Sequence, residues 1–333
     1  MKIVVPMAGL GTRLRPHTWS KPKPLVSVAG KPVLGHVMDM LDSLPTLEEA
    51  VLIVGYLGQQ IRDYMENTYP QLQTRYVVQE EMLGQSHAIW LAREGLTGPM
   101  CMVFVDTIVE ADLSGLATEQ ADAVAWVKEV DDPRRFGVVH LAEDGYVQRL
   151  VEKPQDIQHN LAVVGLYYFK QAERLIQAIE AQMDQATQLG GEYYLVDAIN
   201  IMLEDGLRMR VESVDVWQDC GKPEALLETN RYLLSHGRDN SAEAQLREGV
   251  TVLPPVYIAA DARVTNSEIG PYTSIGPGCA IHDSTIRDSI IEAGSQIESS
   301  YLAGSLIGRN ARVAGCRNRL NIGDDCVIET PDA

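Results

Sequence analysis

Near the amino end of the 333-residue sequence, an apolar run at Lys2–Pro6 leads into Ala8-Gly9-Leu10-Gly11-Thr12-Arg13-Leu14. Glycines directly after a buried strand let backbone N–H groups approach phosphate oxygens, because no Cβ stands between them. A dinucleotide fingerprint would carry a third glycine at position 14, where Leu14 stands, and the Walker-A pattern is absent. A lone Gly-x-Gly is equally an ordinary tight turn. Arg13 and Lys23 favour the chemical reading, since two cations can face one set of phosphates. They lie in a basic stretch: Lys2, Arg13, Arg15, Lys21, Lys23 and Lys31 all precede the first acid, Asp39.

The whole chain has the opposite balance, 28 Lys and Arg against 46 Asp and Glu, for a net charge of −18. A broad basic surface for nucleic acid or anionic membrane is therefore disfavoured, while a local site for a small anion is not. Cys101, Cys220, Cys279, Cys316 and Cys326 are odd in number and form no Cys-x-x-Cys pair, so neither a disulfide framework nor structural zinc is expected. No run of about 18 apolar residues suggests a membrane span. The start lacks the apolar stretch of a signal peptide, and the expected location is the cytoplasm.

The elements that must position these residues follow from periodicity. Apolar runs at Lys2–Pro6, Ala50–Val54, Thr74–Val78 and Met100–Val105 alternate with helical patterns at Pro32–Leu44, Gln59–Glu66 and Gln85–Arg93. That order predicts an α/β, Rossmann-like mixed sheet, mainly parallel, with helices on its faces. Strands are next expected at Ala123–Val127, Gly137–His140, Val147–Glu152 and Leu161–Phe169. Ala172, Leu175, Ile176, Ile179 and Met183 share one face of a helix over Gln171–Met183. Further helices are expected at Tyr194–Asp205 and Pro223–Leu234.

After Leu234 the composition changes. Ser235–Gly249 is polar and reads as a linker. Beyond it apolar residues recur every sixth position: Ile258 and Val264, then Ile269, Ile275 and Ile281, Ile291 and Ile297, Ile307 and Val313, Ile322 and Ile328. This is the period of a hexapeptide β-helix of about four coils, in which each inward side chain stacks on the coil below. The predicted organisation is residues 1–235 as an α/β domain, which the resemblance given next makes the catalytic one, 236–250 as a linker and 251–333 as a left-handed β-helix.

The motifs taken together resemble a known family. Val5 to Pro32 (VPMAGLGTRLRPHTWSKPKPLVSVAGKP) resembles the signature of the sugar-1-phosphate nucleotidylyltransferases. Further matches follow in order: Gln79 to Ala88 (QEEMLGQSHA), Phe136-Gly137-Val138-Val139, Glu152-Lys153-Pro154, Asn160 to Tyr167 (NLAVVGLY), Trp217-Gln218-Asp219-Cys220-Gly221 and Asn230 to Leu234. The tail, with Ser267 to Ile275, Asp288 to Ile291, Ser305 to Asn310 and Asn321 to Asp324, is similar to the β-helix of the long form of glucose-1-phosphate thymidylyltransferase. Three positions depart from the pattern. Ser27 stands where proline is usual, Val105 where glycine is common, and Gly190 where some short-form relatives carry an arginine for the sugar phosphate.

The resemblance implies in-line attack by a sugar 1-phosphate oxygen on the α-phosphorus of a nucleoside triphosphate, with pyrophosphate leaving. dTTP and glucose 1-phosphate are the leading pair, with Mg²⁺ as cofactor. Both reactants are anions, so positioning and charge neutralisation dominate. By resemblance, Ala8, Gly9, Gly11, Thr12, Arg13, Lys23, Gln79 and Gly84 bind the nucleotide. Arg13 would face the β- and γ-phosphates, Lys23 the α-phosphate, and Gln79 a pyrimidine edge. Gly137, Glu152, Lys153 and Val163 would bind the sugar phosphate, and Asp106 and Asp219 would hold the metal. Read alone, each aspartate is also a turn or helix cap, and Lys153 a strand-end ion pair.

Three functions compete: an active transferase, of which a uridylyltransferase is a variant, a non-catalytic regulatory or scaffold homologue, and a bifunctional protein with acyl transfer in the β-helix. His282 is the only cue to the last, and reads better as a surface residue of a coil. Homo-oligomerisation through the β-helix is expected from its exposed ends.

Overall fold

A computed structural model describes residues 1–44, 46–247 and 249–330. Residue 248 of the predicted linker and residues 331–333 of the predicted β-helix lie outside the described residues. The chain forms two compact units. The first comprises Met1–Gly9 and Val37–Trp217; the second comprises Leu10–His36 and the chain from Gln218 onward.

The first unit is built on a nine-stranded mixed sheet. Lys2–Pro6 lies at its centre, parallel to Glu49–Val54 on one side and Met100–Val103 on the other, and Thr74–Val78 continues the parallel part. Leu161–Phe169 runs antiparallel to Met100–Val103 and links it to Ala123–Glu129 and Gly137–Leu141. Val147–Glu152 and Met209–Ser213 complete the sheet. Central strands covered on both faces need near-continuous apolar sequence. Met100, Cys101, Met102 and Val103 accordingly have no exposure at all. The helices Ala172–Asp184 and Leu195–Glu204 pack on one another and bury Leu175, Ile179, Leu195 and Ile199 in the same core.

The strand read as Met100–Val105 stops at Val103. Phe104 N–H donates to Gly165 O at 2.9 Å, and Thr107 N–H closes a turn on Phe104 O at 3.1 Å. Gly165 is left-handed, with φ +83°, and a Cβ there would meet the Phe104 ring at 2.7 Å. This irregularity lies where the pairing of Leu161–Phe169 with Ala123–Glu129 shifts register. It turns the chain so that Asp106 sits half-buried in the turn that follows.

The second unit contains the left-handed β-helix that the hexads predict. Three parallel ladders form its faces, one of four strands and two of five. Ile258, Ile275, Ile291, Ile307 and Ile322 stack in one ladder. Val264, Ile281, Ile297, Val313 and Ile328 stack in another. Val252, Ile269, Ile286 and Leu302 form the third. Serines add a second order inside the coil. Ser284 N–H donates to Ser267 Oγ, Ser300 N–H to Ser284 Oγ and Cys316 N–H to Ser300 Oγ, at 3.0–3.1 Å. Each hydroxyl thus satisfies a buried amide of the next coil.

The segment read as a linker caps the first coil. Asn240 accepts from Ile258 N–H and donates to Ile258 O, both at 2.9 Å, while Asp239 accepts from Val256 N–H at 2.9 Å. These side chains satisfy edge groups that would otherwise be open to pairing with another chain. The Leu10–His36 segment is also tied to this unit. Asn230, fully buried, accepts from Ala29 N–H at 3.0 Å and donates to Tyr272 O at 2.9 Å.

Candidate active site

Most of the sequence-predicted site residues fall into three clusters, one of them in the second unit. There, Gly11 begins the turn in the left-handed region, with φ +62°. A Cβ at Gly11 would lie 3.0 Å from Lys23 Cβ and 3.1 Å from Thr18 Cγ2, so both the dihedral and the space call for glycine. Leu14 N–H closes a short 3₁₀ turn on Gly11 O at 3.0 Å, and Thr18 Oγ1 donates to the same carbonyl at 2.8 Å. Thr12 and Arg13 are exposed on this turn, and Lys23, opening a second one, is half-buried beside Gly11. Asp219 belongs to this unit as well. Its Oδ1 accepts from Gly221 N–H at 2.6 Å, and a Cβ at Gly221 would crowd that oxygen at 2.8 Å.

In the first unit, Ala8 and Gly9 end the central strand's extension. Gly55 brings its neighbouring strand against them, since a Cβ there would be 2.5 Å from Ala8 O. Gln79 is buried, and its amide Nε2 donates to Gly84 O at 3.1 Å and meets His87 Nδ1 at 3.2 Å. Gly84 has φ +97°, and a Cβ on it would strike Tyr193 O and N at 2.6 and 2.7 Å. The Gln79–Gly84 loop is thereby locked to Tyr193, whose N–H donates to Leu83 O at 2.8 Å.

The third cluster, also in the first unit, joins Gly137, Glu152, Lys153 and Val163. A Cβ at Gly137 would meet Val163 Cγ2 at 3.1 Å and a Glu152 carboxylate oxygen at 3.2 Å. Burial pushes the Glu152 carboxyl above its ordinary value, against the pull of Lys153. Lys153 has a left-handed backbone, φ +48°, which a non-glycine residue adopts at a cost of order 1 kcal/mol and which clusters at ligand sites. Its Nζ donates to Tyr194 Oη at 2.9 Å and lies 3.6 Å from Glu152 Oε1. The Tyr194 hydroxyl and the Glu152 carboxylate raise its pKa and keep it cationic. Sequence reasoning missed Tyr194; the nearby Gly190, noted for a missing arginine, was the available signal.

Asp106 belongs to the first unit and Asp219 to the second. Among the described residues no group of three or more His, Cys, Asp or Glu side chains is arranged to hold a metal by itself. Each of the two carboxylates is half-buried in its own unit, and a carboxylate is a ligand type that suits a hard divalent cation. All five cysteines are thiols without disulfides. No helix among the described residues is long and apolar enough to cross a membrane.

Known proteins share this organisation. A nucleotidyl transferase family model matches residues 2–236. The chain is 30% identical to a glucose-1-phosphate thymidylyltransferase of Streptomyces griseus, covering 97% of this chain and 98% of that protein. It is 32% identical to the low-salt glycan biosynthesis nucleotidyltransferase Agl11 of Haloferax volcanii, covering 98% of each. Among solved structures, a UDP-glucose pyrophosphorylase from Acinetobacter baumanii superposes over 74% of this chain and 97% of its own, with TM-score 0.61 and 25% identity. With its glycine turn, its Gln79–Gly84 loop and its Glu152–Lys153 cluster all inside the matched segment, the chain belongs to the nucleotidyl transferase family of enzymes.

Proposed function

We propose that the protein joins a nucleoside triphosphate to a sugar 1-phosphate, releasing pyrophosphate, and that dTTP and glucose 1-phosphate are its substrates. The observation that carries this reading is the Glu152–Lys153 pair: a cation fixed by Tyr194 beside a carboxylate, with the Gly137 backbone packed so closely on Glu152 that a Cβ would crowd its carboxylate at 3.2 Å. That is the equipment for one phosphate and neighbouring hydroxyls. The near full-length likeness to a thymidylyltransferase supports the choice of substrates.

Arg13 neutralises the outer phosphates of the triphosphate and Lys23 the α-phosphate, where negative charge builds up as the new bond forms. The N–H groups of the Ala8–Thr12 turn bind phosphate oxygens. Gln79, whose amide nitrogen donates to Gly84 O, offers its remaining amide capacity to the base. Glu152 accepts from sugar hydroxyls while Lys153 pairs with the sugar phosphate, bringing its oxygen in line with the α-phosphorus. Asp106 and Asp219 would each offer a carboxylate to Mg²⁺, which would supply screening of the repulsion between the two anionic reactants.

The test is a pyrophosphate-release matrix that crosses dTTP, UTP, CTP, GTP and ATP with several sugar 1-phosphates, with and without Mg²⁺. The highest kcat/KM is expected for dTTP with glucose 1-phosphate and Mg²⁺. Nucleotide binding without pyrophosphate release for any pair would instead indicate a regulatory homologue.

A further inference from the structure

Between Arg13 and Lys23 the loop sends the side chains of His17, Ser20 and Lys21 to partners on the β-helix. Lys21 is 1% exposed. Its Nζ contacts the Glu292 carboxylate and donates to Asp324 Oδ1 at 3.1 Å. Ser20 Oγ donates to Asp324 Oδ2 at 2.6 Å. His17 Nε2 meets Asn321 Oδ1 at 2.7 Å. Glu292 Oε1 also accepts from Ser27 N–H at 3.1 Å, on the far side of Lys23. Arg309 completes the cluster, with its backbone N–H and Nε donating to Asp324 at 2.8 and 2.9 Å. Two cations balance two carboxylates, and three successive coils contribute Glu292, Arg309 and Asp324. Backbone contact reinforces this, since a Cβ at Gly323 would lie 3.0 Å from Pro16 Cβ.

A buried lysine between two carboxylates is a costly way to hold a loop. Taking the charges out of water offsets much of their attraction, and an apolar plug of the same volume would serve stability as well. What such a cluster supplies is a fixed geometry, because a buried charge must stay against its partners. The loop needs that. Transfer between two anions depends on where Arg13 and Lys23 place their charges, and a misplacement of about 1 Å can cost on the order of a hundredfold in rate.

We propose that Glu292 and Asp324 are positioning residues of the transfer reaction: by gripping Lys21 they set the loop whose two ends present Arg13 and Lys23 to the triphosphate. The β-helix is then a working part of the nucleotide site. This inference rests on the transfer reading given above.

The test compares wild type with the paired variant Lys21→Met/Glu292→Gln, which removes one charge of each sign and keeps the cluster neutral. With dTTP, glucose 1-phosphate and Mg²⁺, the paired variant should melt within a few degrees of wild type. Its kcat should fall at least tenfold and its KM for dTTP rise, with KM for glucose 1-phosphate unchanged. Lys21→Arg, which retains the charge, should recover part of the rate. Asp324→Asn is the second variant, used if the pair does not fold; the same split between the two KM values is expected. A folded variant with wild-type kcat and KM for dTTP overturns the inference and leaves the transfer reading standing. Wild-type protein that releases no pyrophosphate with any pair overturns both.

Discussion

At the scale of single residues, placement is decided by where a backbone or a charge has no alternative. Gly84 has its Cα against the Tyr193 backbone at positive φ. Gly84→Ala should destabilise the protein by about 1–3 kcal/mol and raise KM for the nucleotide, read from denaturant melts and initial rates. With Lys23 in its proposed role at the α-phosphate, Lys23→Ala should lower kcat by about 10²–10³ with a small change in KM. For Glu152, burial raises the carboxyl above its ordinary value. It therefore takes up a proton at a higher pH than an exposed glutamate. KM for the sugar phosphate should rise as pH falls toward that value, and Glu152→Gln should raise KM about tenfold, roughly 1.4 kcal/mol, and abolish the acid limb. Motif order marks Arg13, Lys23, Glu152 and Lys153 as candidates in the sequence, and the contact of Glu152 with Lys153 follows from their adjacency. Tyr194 was not legible there, because its link to Lys153 spans 41 residues and is made only in the folded sheet. Lys21 read as one more loop cation, since its partners lie about 270 and 300 residues further along the chain.

Elements were legible where one force sets the pattern. Val147–Glu152 and Leu161–Phe169 fold as strands over the residues their apolar periodicity marked. Met100–Val105 ended early because a tertiary contact with Gly165, invisible to local pattern, turns the chain. In the β-helix the isoleucine period announced the coil, yet it hid the serine ladder, whose work is hydrogen bonding. The step between stacked isoleucines also contracts, from 17 residues (Ile258 to Ile275) to 15 (Ile307 to Ile322), which a strict hexad cannot express. Ile281 stacks between Val264 and Ile297 with 1% exposure. Ile281→Ala should cost about 2–5 kcal/mol. Ser284→Ala, which orphans the Ser300 amide, should cost about 1–3 kcal/mol. Both are measurable by denaturant unfolding.

Across the whole molecule, the net charge of −18 hides a basic amino-terminal stretch, and the fold puts that stretch to two uses. Arg13 stays exposed and Lys23 half-buried, while Lys21 goes inside against acids of the β-helix. Burial pushes the Asp324 carboxyl up, but Ser20, Lys21 and Arg309 outweigh it and hold the group at about 2. Because this value is below the ordinary 3.8, the folded chain binds fewer protons in that window. The resulting stability is complete above about pH 4 and is lost as pH falls toward 2. Thermal melts in that range should show Asp324→Asn less stable at neutral pH and flatter on the acid side.

Phosphorus NMR of a reaction containing dTTP, glucose 1-phosphate and Mg²⁺ follows every phosphorus at once. The resonances of the sugar phosphate and of the α-phosphorus should convert together into the two coupled signals of a nucleoside diphosphate sugar, with one pyrophosphate for each. Loss of the γ-phosphate alone, leaving dTDP, or an unchanged spectrum with every sugar phosphate and triphosphate tried, would contradict attack at the α-phosphorus.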